Sequence, residues 1–457
     1  MKSILKGFGL LAVILGMTTA CNFLGEDEFV GNKKLDVEAV NGPFQMKVER
    51  ILGQEYLVVL NTNSDYKLAE GSLHFYSLAN PSAPVKTSNV ESLTLPSNVG
   101  DFEIIDGGTP ALFVANRNRN ELWIYDFVGT SFARRTDSNG EGLAIRTPSN
   151  VTSLLTFRRS SDNIMMLALT AQRAGTVSLL DLSTLKYVDP RNLGLSTFDA
   201  VQVVGADIYG AKFYMTPRRT NNKDDNLGVT GSRRNGVGVT KSVYLGTSDD
   251  IIVSMNAFQN ALHVFRFRTF QNTANMSWEL TAWEEDTVLS NGKEREGTDE
   301  EGFRGMDIDG SQNVYLSSRT DNTIYKIPRD VLLVGKDGDR NTRGFEENVR
   351  TYRLAFGGSC SLDDDIEDEI LPKLGSLVVN PDGNTLWVVG LGTDKVYRMD
   401  VLGTQITNCT SVAESPQRVI GYPTTGNFSH IYVASKLGDS ITVLDATSMA
   451  VQTVLTN

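Results

Sequence analysis

Six cations recur at one place in the chain's pattern. Lys67, Arg117, Arg119, Arg173, Arg319 and Lys436 each fall in a short polar loop between two apolar runs. A guanidinium in such a loop carries a planar fork of donors suited to a carboxylate, sulfate or phosphate group. Two acidic runs offer a different chemistry: Asp299, Glu300 and Glu301, and Asp363, Asp364 and Asp365, the second continued by Glu367, Asp368 and Glu369. Carboxylate oxygens are the hard ligands calcium prefers. Neither run has the spacing of a helix-loop-helix calcium loop, so Ca2+ is the one cofactor these residues suggest, against a reading as solvated acidic loops. No residue stands out as catalytic. The chain has three histidines, His74, His263 and His430, scattered too widely for a metal cluster, and it lacks CxxCH, HExxH, GxSxG and a phosphate-binding glycine loop.

The N-terminus addresses the chain. Lys2 and Lys6 precede an apolar run from Phe8 to Met17, too short for a spanning helix and right for a secretory leader. The run ends in Thr18-Thr19-Ala20-Cys21, which resembles the lipobox of bacterial lipoproteins, although Thr18 departs from the usual Leu, Val or Ile. The resemblance implies a signal peptide over 1–20 and an acylated Cys21, a membrane anchor through lipid alone. Asn22 follows where an Asp would favour the inner membrane, so an outer-membrane lipoprotein is expected. Residues 21–42 are polar and charged and read as a tether, or, through KLDVEAV within them, as an added strand.

The formal charge is -12, which argues against nucleic acid or anionic lipid as a partner of the whole surface. Beyond Cys21 only Cys360 and Cys409 remain. An even pair in an exported chain is expected to be bridged, stabilising by about 4 kcal/mol in the chain-entropy account.

The elements that must position these residues are short strands. The composition, 40% hydrophobic with 41 glycines, suits a turn-rich β protein. The closing stretch reads as three strands, IYVAS, SITVLD and VQTVLT, separated by turn residues. Its second strand recurs as ELWIYD (121 to 126), TVSLLD (176 to 181) and KVYRMD (395 to 400), and without the Asp as SLHFYS (72 to 77), ALHVFR (261 to 266) and TIYKIP (323 to 328). Each copy follows another apolar strand across a polar loop, so a hairpin repeats seven times at uneven spacing. A four-stranded sheet built on it cannot bury both faces alone, and the units must pack face to face around an axis.

The fold expected is therefore all-β, a seven-bladed β-propeller of four-stranded antiparallel blades over 43–457, with an insertion at about 216–241. That insertion reads either as a binding loop or as a surface hairpin flanked by FYM and SVYLG. NPDGNTLWVVGLGTDKVYRMDV (380 to 401) and IYVASKLGDSITVLDATSMAVQTVL (431 to 455) resemble the repeats of YVTN-type propellers, and DIDGSQNVYLSSRTDNTIYKI (307 to 327) resembles an NHL repeat. In such a ring the hairpin loops and the loops leading into each innermost strand share a face, and the six cations form a basic rim. The function expected is a monomeric, lipid-anchored envelope platform for an envelope protein or an anionic glycan, without catalysis. The alternative is a metal-dependent propeller hydrolase or lactonase. The lactonase metal set of Glu, Asn and Asp has no matching Asn here.

Overall fold

The computed structural model describes residues 40–62, 70–160, 162–172, 176–187, 239–246, 250–256, 261–271, 278–290, 302–319, 322–333, 342–344, 349–354, 360, 373–402 and 405–456. They form seven sheets, each made from one continuous stretch of chain apart from a single short added strand. The innermost strands are Pro43–Ile51, Val99–Ile105, Val151–Arg158, Val239–Leu245, Phe303–Ile308, Leu374–Val379 and Pro416–Tyr422. Each pairs with a second strand, the second with a third, and the third with an outer one, all antiparallel. The innermost strands also touch one another in sequence, and the last touches the first, so the sheets are the blades of a closed seven-bladed propeller.

Blade packing follows from the period-two alternation of the second strands. In blade 1, Leu57 and Val59 face blade 7 while Val58 and Leu60 face blade 2. In blade 6, Leu386 and Val388 face blade 5 while Trp387 and Val389 face blade 7. Seven buried clusters result, one at each blade junction. This is why the second strands read as unbroken apolar runs: both faces are covered. A one-residue slip would exchange the two faces of a blade.

The repeated local features each have a structural reason. The Asp that closes the third strand caps the turn after it. Asp445 Oδ1 accepts the N–H groups of Thr447 and Ser448 at 3.0 and 2.7 Å, and Asp181 Oδ1 accepts that of Ser183 at 2.8 Å. Just before the third strand stands an Asn or Asp at positive φ: Asn120 at 52°, Asn322 at 51°, Asp394 at 48° and Asp439 at 41°. These residue types tolerate the left-handed region.

The ring closes without a strand exchanged between blades 1 and 7 among the described residues. Side chains join them instead. The Tyr432 hydroxyl donates to Pro81 O at 2.9 Å, the Tyr422 hydroxyl to Glu55 Oε2 at 2.8 Å, and the Gly42 N–H to Asp439 Oδ1 at 2.6 Å. Val40, which closes the KLDVEAV stretch within the expected tether, is fully buried in that junction. SVYL, the first four residues of SVYLG, belongs to the innermost strand of blade 4 and not to an insertion hairpin, and Lys241 lies in the same strand. FYM and residues 216–238 lie outside the described residues.

Cys360 and Cys409 are bridged with their Cα atoms 5.8 Å apart, as expected. Cys409 lies within the outer strand Gln405–Ser411 of blade 6. Cys360 is buried in the cluster between blades 5 and 6, so the bond holds the connection between them to blade 6.

Two measurements check this account. In urea unfolding Leu57→Ala, fully buried, is expected to cost about 2–5 kcal/mol, whereas Leu402→Ala, 75% exposed, should stay within about 0.5 kcal/mol of the parent. Replacing both Cys360 and Cys409 by serine is expected to cost about 2–5 kcal/mol, read as a drop in unfolding midpoint that reductant reproduces in the parent protein.

Candidate functional site

One face of the ring is defined by a recurring backbone bond. The residue after the second strand donates to the residue before the innermost strand: Thr62 to Gly42 at 3.3 Å, Arg117 to Asn98 at 3.3 Å, Gln172 to Asn150 at 2.9 Å, Arg319 to Gly302 at 3.2 Å, Leu391 to Lys373 at 3.2 Å and Lys436 to Ser415 at 2.9 Å. The six acceptors all have positive φ. Each bond ties a hairpin loop to a lead-in loop, so both kinds of loop share a face, as the sequence pattern requires. Every innermost strand then carries a register shift near its start. Such a bulge leaves an extra residue unpaired and re-aims its side chain.

The expected rim is only partly assembled. Arg117 is used between blades: its Nε donates to Asn150 Oδ1, and its stem lies over Gly100, where an added Cβ would fall 2.8 Å from Arg117 Cδ. Arg119 is exposed, with its guanidinium 5.9 Å from the centre of the Trp123 ring, on which Arg134 also stacks at 3.7 Å. Lys436 is half-buried. Arg319 lines a cavity of about 400 Å³ together with Arg304, Lys373, Leu391, Gly392, Ser415 and Gln417. Lys67 and Arg173 lie outside the described residues, as do Cys21, Asp299, Glu300, Glu301, Asp363, Asp364 and Asp365.

Lys373 comes from a lead-in loop, and Arg304 and Gln417 from the innermost strands themselves, none of them from a hairpin loop. Arg304 and Gln417 are the extra residues of the bulges in blades 5 and 7. Lys373 holds φ +46° at the position occupied by Gly42, Asn98, Asn150, Gly302 and Ser415 in other blades. Aligning the positions before each innermost strand would have found Lys373, whereas Arg304 and Gln417 lie within the strands, where a bulge leaves no mark in the alternation.

A second ionic centre lies on the innermost strands themselves. Lys47 Nζ is 3.2 Å from both Asp101 Oδ1 and Glu103 Oε1 and donates to Phe102 O at 2.6 Å. Asp101 Oδ2 accepts the Leu154 N–H at 2.7 Å and Asp307 Oδ2 the Val379 N–H at 2.9 Å, each from the next blade. Lys241 Nζ donates to Met306 O. The Asp101 side chain is 1% exposed and that of Lys47 17%, so this pair is enclosed, and removing one partner would strand a charge.

Burial and neighbouring charge set the titration. Burial opposes the Lys47 ammonium, but the Asp101, Glu103 and Glu49 carboxylates overcome it and raise its pKa. Burial, reinforced by the Arg418 charge, lowers Lys241 to about 7 against the pull of Asp307 and Asp101. Burial also raises Asp307, against the attraction of Lys241, and raises Glu49 well above the usual carboxylate range, with Glu103 adding to it.

The histidines stay apart: His74 is buried in blade 1 against Ser72, His263 is buried in blade 4 and His430 meets Ser82. No three His, Cys, Asp or Glu side chains among the described residues form a metal-binding group.

No protein-family model matches the sequence, and the comparison with curated proteins finds no match. Solved structures do resemble it. Hydrazine synthase of Kuenenia stuttgartiensis superposes with a TM-score of 0.51 at 11% identity over 92% of this chain and 98% of that one. Virginiamycin B lyase from Staphylococcus aureus gives 0.44 at 10% identity over 88% and 94%, and Kluyveromyces lactis Hsv2 gives 0.45 at 11% over 90% and 98%. At such identities the likeness extends to the fold and no further.

The Lys241 shift has a defined sign. Between pH 7 and about 10.4 the unfolded chain holds a proton on this amine that the folded chain lacks, so its contribution to stability rises with pH. The unfolding free energy of the parent relative to Lys241→Met is expected to climb across that window, by at most about 1.4 kcal/mol per pH unit, and to be level below pH 6. A difference that stays flat from pH 6 to 10 would contradict the assignment.

Proposed function

We propose that this chain is a lipid-anchored propeller of the bacterial cell envelope, held at the outer membrane through acylated Cys21, that acts as a monomeric binding platform for an envelope protein or an anionic glycan and performs no catalysis. Its repeats are read as YVTN- and NHL-like. The leader-like N-terminus and the Thr-Thr-Ala-Cys sequence support the address, and the Cys360–Cys409 bridge suits an oxidising compartment.

The observation that carries the binding role is the loop face, where Arg119, Arg304, Arg319, Lys373 and Lys436 stand on a body of net charge -12. The acidic body repels an anionic partner elsewhere and steers it to this face. The alternative, a hydrolase with a carboxylate-bound metal near the axis, would draw on Glu49, Asp101 and Glu103, which do not make up a metal-binding group of three. There Asp101 and Glu103 already share the Lys47 ammonium at 3.2 Å and burial holds Glu49 toward its neutral acid, which favours the platform reading.

Crosslinking on intact cells is expected to capture a specific partner with the parent protein. Charge reversal at Arg119, Arg319 and Lys436 should reduce that capture roughly tenfold or more, and Cys21→Ser should release the chain from the membrane fraction. An unchanged capture profile, or none in the parent, would defeat the platform reading. Bound divalent metal, with a thermal shift on chelation, would favour the hydrolase.

A further inference from the structure

The cavity spanning blades 5, 6 and 7 has the make-up of a site for one class of ligand. Three cations converge on it from separate segments: Arg304 from a bulge, Arg319 from a hairpin loop and Lys373 from a lead-in loop. Beside them stand the Gln417 amide, whose Nε2 donates to Ser415 Oγ at 2.9 Å, the Ser415 hydroxyl, the backbone at Gly392 and the apolar side chain of Leu391. No carboxylate lines the cavity among the described residues. A guanidinium has five N–H donors and an ammonium three, so cations held in place by their neighbours still present donors to the space between them.

We propose that this cavity binds an anionic saccharide unit, a sugar bearing a carboxylate or a sulfate. The proposal rests on the platform reading of the loop face and names its ligand. The cations take the acidic group by forked, charge-assisted hydrogen bonds. Gln417, Ser415 and the Gly392 backbone pair with ring hydroxyls, and Leu391 covers an apolar patch of the ring. Size favours a sugar over an acidic peptide side chain: about 400 Å³ lies in the range of small-molecule sites and exceeds what one Asp or Glu would fill. Preorganisation comes from the backbone, since Lys373 and Ser415 are held at φ +46° and +57° by bonds from Leu391 and Lys436. Holding donors in their bound geometry lowers the ordering cost of binding.

The test is calorimetric titration of the full chain with four probes: a galacturonate tetramer, a sulfated tetrasaccharide, a neutral glucose tetramer and a glutamate tetrapeptide. At least one acidic saccharide is expected to bind saturably, and the arm that does so tells carboxylate from sulfate. The neutral tetramer should not bind. Arg319→Gln and Lys373→Gln should each weaken binding roughly tenfold. Gln417→Leu, which keeps every cation, should weaken it several-fold, and thermal melts matching the parent's would make these losses local. No saccharide binding, pocket variants that bind like the parent, or a peptide that binds as tightly as the saccharide would each overturn the proposal. If cells still yield a captured partner that is lost on charge reversal while all saccharides fail, the platform reading stands and only this ligand assignment falls.

Discussion

The structure depends on one constraint: the second strand of each blade is apolar on both faces and must be covered on both. A single four-stranded sheet leaves one face bare at least, and a stack of two covers only the faces between them. A closed ring alone provides every blade with two neighbours. The seven buried clusters, one at each junction including that between blades 7 and 1, are the direct outcome. Because each junction uses alternate residues of two strands, the ring is sensitive to register at every blade. That explains why turn residues of special backbone conformation, Asn120, Asn322, Asp394 and Asp439, stand at the same place in four hairpins.

Ring closure creates a second requirement at the axis, where the innermost strands have one edge without a strand beyond it. Their carboxylates take up backbone donors of the following blade, as with Asp101 to Leu154 and Asp307 to Val379. Lysines and an arginine on the same strands offset the charge. The compensation is uneven: Lys47 has two carboxylates in contact and is held charged, whereas burial, reinforced by Arg418, lowers Lys241 to about 7. The same burial that makes these groups costly to mutate makes them a structural centre.

The loop face is where the fold leaves residues free to serve something other than packing. The recurring bond from hairpin loop to lead-in loop holds the two kinds of loop together, and the bulge beside it turns one residue per blade out of the strand pairing. In most blades the positions so placed hold Gly, Asn, Thr or Phe. Arg304, Lys373, Ser415 and Gln417 are the departures, and they gather around one cavity. Arg117 shows the opposite: a loop arginine spent on joining blades 2 and 3.

The sequence by itself determined the all-β class, the hairpin repeated seven times, the ring and the pairing of Cys360 with Cys409. These follow from local period, turn chemistry and counting, each a property of neighbours along the chain. The rim was legible only in part. Hairpin loops announce themselves as polar gaps between apolar runs, so Arg319 was found, but a bulge changes the facing of a residue without any signal in the alternation, and Arg304 and Gln417 went unseen. Lys241 reads as the end of the insertion because a Gly-rich, charged stretch runs up to it and the apolar SVYL follows. Only the tertiary structure decided that the Lys241 charge lies on an innermost strand beside Asp307 and Arg418, and that Arg304, Arg319 and Lys373, from separate segments of the chain, meet at one cavity. Proximity across blades is set by closure of the ring, which no local pattern encodes.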